Sequence, residues 1–113
     1  MEQLTSKTRL AIKLARRLHE QFTNGTWFVD LGPLRAGDHV LTEIAAPLGV
    51  EEPERGWTLA EAVVSYLSSG SFLVVLDNCE HVTAAASSAA TAMLAGAAGL
   101  RILATSHSQS QAR

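Results

Sequence analysis

Five consecutive apolar residues, Phe72-Leu73-Val74-Val75-Leu76, lie between Ser68-Ser69-Gly70-Ser71 and Asp77-Asn78-Cys79-Glu80-His81. Successive side chains of a strand point to opposite faces, so a run without a polar alternate has no face to give to water. Such a strand belongs inside a sheet covered on both sides, and the usual cover for a parallel sheet is helices reached by crossover connections. The run therefore predicts an α/β chain in three layers with this strand in the middle of the sheet.

The flanking sequence supplies the other parts. Leu10, Leu14, Leu18 and Phe22 recur every fourth residue beside Ala11 and Ala15, which predicts an amphipathic helix with those residues inward, closed by Asn24-Gly25. A strand follows near 27–31, in Trp27-Phe28-Val29-Asp30-Leu31, bounded by Gly32-Pro33. Val40, Leu41, Ile44, Ala45 and Leu48 form a second helical face, interrupted by Pro47 and stopped near Gly49. Thr58 and Glu61 stand at capping-box spacing ahead of Leu59, Val63, Tyr66 and Leu67, a third helix. The alanine-rich stretch 82–98 reads as a tightly packed helix and 100–105 as a third strand. Right-handed crossovers make all three strands parallel.

Composition excludes several classes. In 113 residues, nine Lys+Arg stand against eleven Asp+Glu, a formal charge of −2, so no basic excess offers a nucleic-acid backbone a partner. The expectation is no direct nucleic-acid binding by this chain. Residues 82–100 carry no charge, but they are mostly Ala, Ser, Thr and Gly, which gain little from lipid, so no membrane association is expected. The N-terminal residues interleave charges with apolar positions and lack a signal-peptide core, and the single Cys79 suits a reducing compartment. Those features place the chain in the cytoplasm.

Ligands of open parallel sheets sit at the carboxyl ends of the strands, and here those ends carry Asp30, then Asp77 to His81, then Thr105-Ser106-His107. An aspartate after a buried strand can hold Mg²⁺, which wants a few oxygen donors; it can equally cap the next helix. A phosphate-binding glycine loop before Lys-Thr would be its natural companion. In Met1-Glu2-Gln3-Leu4-Thr5-Ser6-Lys7-Thr8 only the Lys-Thr pair of that pattern stands, with Met1 and Ser6 at the glycine positions. Lys7 could meet a β/γ-phosphate and Thr8 could place its hydroxyl on Mg²⁺. Cys79 and His81 lack the further ligands that zinc requires. A Ser106–His107 pair lacks an orienting acid, and Trp27 and Trp57 read as packing residues.

In order and spacing, "KTRLAIKLARRL", "TWFVDLGPL", "FLVVLDNCEHV" and "LRILATS" resemble the STAND-class, NB-ARC-like P-loop ATPase modules of bacterial LuxR-type and SARP-type transcriptional regulators. The resemblance implies a nucleotide-dependent switch with ATP and Mg²⁺ as cofactors. Lys7 and Thr8 then correspond to Walker A remnants, Asp77 to the Walker B metal-site aspartate, and Glu80 to a water-activating or metal-side carboxylate. His107 stands where the family places a γ-phosphate-sensing arginine. It also implies a partial P-loop NTPase-like domain over 1–106, lacking its first strand and glycine loop, with 107–113 as a flexible tail.

Three functions follow as expectations: a degenerate ATP-binding regulatory module with little or no hydrolysis, a non-catalytic protein-interaction domain, and a residual ATPase. The missing first strand of the resembled fold would pair with the 100–105 strand. Self-association or capture of a partner strand through that edge is therefore expected.

Overall fold

In the computed structural model, which describes residues 6–35, 39–51, 53 and 56–106, the apolar run is the central strand of a three-stranded sheet. The elements in chain order are helix α1 (Ser6–Leu18), strand β1 (Gly25–Asp30), helices α2 (Val40–Leu48) and α3 (Leu59–Leu67), strand β2 (Phe72–Asp77), helix α4 (Thr83–Gly96) and strand β3 (Leu100–Ala104). The sheet order is β1-β2-β3 and both pairings are parallel, with Asp30 opposite Asp77 and Leu76 opposite Ala104. The fold class is thus α/β, and every residue of β2 is buried.

Alternation along β2 divides the core in two. Phe72, Val74 and Leu76 face α2, α3 and α4 through a large cluster that includes Ile44, Val63, Leu67 and Met93. Leu73 and Val75 face α1, where, among the described residues, Ala11, Ala15 and Phe22 complete the buried cluster, with Leu18 and Leu103 at its margin. Three helices therefore cover one face and α1 covers the other.

Local signals explain the element ends. Thr58 caps α3 reciprocally, its hydroxyl accepting from the Glu61 N–H at 3.1 Å while the Glu61 carboxylate accepts from the Thr58 N–H at 2.9 Å. Gly49 ends α2 in the left-handed conformation at φ 78°, and its N–H bonds back to Ala45 and Ala46. Gly99 comes against the backbone before β2: a Cβ there would lie 2.5 Å from the Gly70 carbonyl oxygen.

Four expectations are corrected. Leu10 and Leu14 do not face inward; they are 59% and 37% exposed, and the alanines beside them carry the contact. The wheel locates an apolar stripe but not the width of the sheet beneath it. Pro47 does not interrupt α2, which runs through it to Leu48. The first helix closes at Leu18 through a single 3-10 turn, and Gly25 already belongs to β1. Trp57, expected to pack, is 56% exposed. The glycine-loop positions 1–5 and the 107–113 tail, with His107, lie outside the described residues, as does any test of a P-loop core there.

Candidate functional site

Parallel pairing brings the carboxyl ends of all three strands to one edge of the sheet, and the start of α1 lies over the same edge. The polar residues of those ends form one hydrogen-bonded cluster centred on Asp77, which is only 3% exposed. The Thr8 hydroxyl, also buried, lies 3.1 and 3.0 Å from the two carboxylate oxygens and donates to them. The Thr105 hydroxyl accepts the Asn78 N–H at 3.1 Å, which commits its proton to Asp77 Oδ1. Asn78 Nδ2 donates both to Asp77 Oδ2 at 3.2 Å and to Asp30 Oδ1 at 3.0 Å, tying β1 to β2. Asp30 Oδ1 in turn accepts the Gly32 N–H at 2.9 Å.

The backbone around the cluster is held as firmly. Thr105 N–H donates to the Leu76 carbonyl and Cys79 N–H to the Thr105 carbonyl, both at 2.9 Å. Between them Asn78 turns the chain at φ 58°, a conformation its side chain tolerates better than most. That turn points its amide at both aspartates. Lys7, exposed on the first turn of α1, donates through Nζ to the Ser106 carbonyl, so a cation stands at the rim of the acidic cluster.

Of the residues expected at a site, Lys7, Thr8 and Asp77 therefore converge. Glu80 belongs to a 3-10 turn (Cys79–His81) and lines a cavity of about 610 Å³ on the α4 side with Cys79, Thr83, Thr105 and Ser106. A larger cavity of about 730 Å³ lies elsewhere, among Val40, Leu59, Ala85 and Ala89, and touches none of the cluster. Asp30, Asn78 and Thr105 were visible in the sequence only as polar strand ends. Their joint role depends on the register that sets Leu76 beside Ala104.

Cys79 is buried, and its thiol donates to the Leu76 carbonyl at 3.4 Å. Burial pushes this thiol above its ordinary range, and the Glu80 carboxylate beside it adds to the effect. It is a packing residue rather than a nucleophile. Among the described residues no group of three His, Cys, Asp or Glu side chains could hold a metal ion by itself.

Comparisons with known proteins set these features in a larger context. "Putative HTH-type transcriptional regulator Rv0890c" of Mycobacterium tuberculosis is 33% identical over 100 residues, which are 88% of this chain and 11% of that protein. "Putative HTH-type transcriptional regulator Mb0914c" of Mycobacterium bovis matches to the same extent. "Uncharacterized protein Rv0894" of M. tuberculosis is 30% identical over 100 residues, 88% of this chain and 25% of that protein. The chain thus spans about a tenth to a quarter of the length of these curated relatives. No family model matches it, and no solved structure matches it. The relatives correct the kinship expected from the sequence: proteins named for a helix-turn-helix do not fit a STAND-class P-loop ATPase module, and that assignment is withdrawn. The same names sit against the expectation of no nucleic-acid binding, which rested on the charge of this chain alone.

Proposed function

We propose that the chain is a regulatory module of longer transcriptional regulators, and that the carboxyl end of its sheet binds a magnesium-bound polyphosphate of the ATP type weakly, with little or no hydrolysis. The observation that carries this reading is the convergence of Lys7, Thr8 and Asp77: a cation, a hydroxyl and a buried carboxylate at one rim. Mg²⁺ keeps most of its waters and binds through one or two protein oxygens plus phosphate, so this small donor set fits it. Thr8 and Asp77 would hold the ion, and Lys7 would meet the phosphate. Both Asp77 oxygens already accept hydroxyl or amide donors, which favours contact through water and weak affinity. The regulatory part of the reading is supported by the names of the relatives.

Calorimetric titration of the full chain with ATP and Mg²⁺ tests the ligand, with Asp77→Ala and the exposed-site variant Lys7→Ala as comparisons. Weak, Mg²⁺-dependent binding that both substitutions reduce is the expected result. Submicromolar affinity, unchanged affinity in Asp77→Ala, or no binding at millimolar ATP contradicts it. A second reading, a non-catalytic interaction domain, is favoured by the outer edge of β3.

A further inference from the structure

Helix α1 carries five of the nine cations of the chain, Lys7, Arg9, Lys13, Arg16 and Arg17, and no carboxylate. The other residues hold four cations against all eleven carboxylates, so a helix of charge +5 is set on a remainder of charge −7. The net charge of −2 averages two regions of opposite sign, and an exclusion drawn from it applies to neither region alone.

The helical period orders these cations. Thr8, Ala11 and Ala15 are the buried side of α1. Arg9, Lys13, Arg16 and Arg17 are all exposed, and their spacing of i, i+4, i+7 and i+8 gathers them within an arc of about 100° and along about 12 Å of the axis. Lys7 falls outside this stripe, at the rim of the Asp77 cluster. Among the described residues no ion pair or side-chain hydrogen bond engages the four, and Glu20, in the 3-10 turn that follows α1, is not paired with them. The stripe does little for the helix itself: Arg16 and Arg17 suit its carboxyl end, but Arg9 and Lys13 do not, and like charges three and four residues apart repel.

We propose that the outer face of α1 is a contact for the phosphate backbone of duplex DNA, made by Arg9, Lys13, Arg16 and Arg17 without reading base sequence. A duplex presents one phosphate charge per about 1.7 Å of its axis, so a 12 Å stripe meets several at once, and three of its four members carry the guanidinium fork that matches phosphate. The centre of a protein–protein contact is apolar or aromatic, whereas this stripe is charged along its length. A helix that lies on lipid offers an apolar face, and in α1 that face is spent on the sheet, with Leu10 and Leu14 as its exposed large apolar residues. The choice of duplex DNA among polyanions rests on the regulatory reading above; the stripe itself owes nothing to the nucleotide site.

The test is fluorescence anisotropy of labelled duplexes of two unrelated sequences, titrated with the full chain over a series of salt concentrations. Four phosphate contacts give a slope of log affinity against log salt of about −3 to −4, which is a loss of about a hundredfold between about 50 and 200 mM NaCl, equal for both sequences. Arg9→Gln, Lys13→Gln, Arg16→Gln and Arg17→Gln each flatten the slope by about 1, and Lys in place of any of the three arginines restores it. Arg101→Gln, away from α1, changes neither slope nor affinity. Glu20→Gln removes a carboxylate beside the stripe and raises affinity about twofold, a gain that misfolding cannot imitate. The stripe variants keep the parental response to ATP and Mg²⁺, so failure of the nucleotide reading and failure of this one give different results. No binding at about 50 mM salt and 100 μM protein, a slope that the α1 substitutions leave unchanged, or an equal loss in Arg101→Gln overturns the proposal. Polyglutamate, phosphatidylserine vesicles or duplex RNA binding as tightly as duplex DNA overturns it as well, by assigning the stripe to another partner.

Discussion

Replacing Thr8 with valine keeps the shape of the side chain and removes its hydroxyl from Asp77. In the parent that hydroxyl lies 3.1 and 3.0 Å from the two carboxylate oxygens, at a buried position. A hydrogen bond to a carboxylate contributes about 1.5–3 kcal/mol, and the added methyl recovers up to about 0.8 kcal/mol through burial. The expected net loss is about 1–2 kcal/mol, because Thr105 and Asn78 still donate to Asp77 and prevent a wholly unsatisfied carboxylate. For a domain of this size that corresponds to a fall in Tm of roughly 5–10 °C. Urea denaturation followed by circular dichroism measures it, with the slope unchanged and the midpoint lowered. The same substitution in an Asp77→Ala background should cost less than about 0.5 kcal/mol, since the partner is already gone. A Thr8→Val chain as stable as the parent, or an equal loss in both backgrounds, would refute the claim that this bond fastens α1 to the sheet.

Two further outcomes follow from packing and titration. Gly99→Ala places a Cβ 2.5 Å from the Gly70 carbonyl oxygen, a backbone atom that cannot swing aside, so thermal unfolding should show a loss of about 1–3 kcal/mol. The Cys79 thiol is held protonated by burial, so the unfolded chain releases that proton first as pH rises. Its contribution to stability is therefore complete below the ordinary thiol range and declines above it; urea midpoints at pH 7 and pH 9.5 should differ less in Cys79→Ala than in the parent.

The sheet was legible because Phe72–Leu76 permits one environment only: a strand apolar on both faces must be central, and the structure puts it there. The Thr58–Glu61 cap was legible for the same kind of reason, since four residues contain the whole interaction. Leu10 and Leu14 were misplaced because their burial depends on how many strands lie under α1, a property that no helical period contains. Thr105 was seen as a polar strand end, but its bond to Asp77 spans 28 residues and depends on strand register. The kinship drawn from "LDNCEH" and its neighbours failed where short stretches must carry a family. An apolar strand ending in an aspartate, an αL asparagine and a helical turn is also what a buried strand needs in order to leave a sheet.

The uneven cover of the sheet has a kinetic consequence. On the α1 side the buried contact comprises Ala11, Ala15, Phe22, Leu73 and Val75, whereas the opposite side engages three helices and most of the core. Lifting α1 away breaks few contacts, and its docking joins residues as far apart in sequence as Thr8 and Asp77, separated by 69 positions. The helix is thus expected to form late and to be released first, before the β1-β2-β3 ladder parts; amide exchange no faster in α1 than in β2 would refute this. Lys7 and Thr8 travel with it. The Asp77 cluster is then assembled and dismantled on the timescale of one helix leaving and returning, while Asn78, Thr105 and the strands that bear them stay in place.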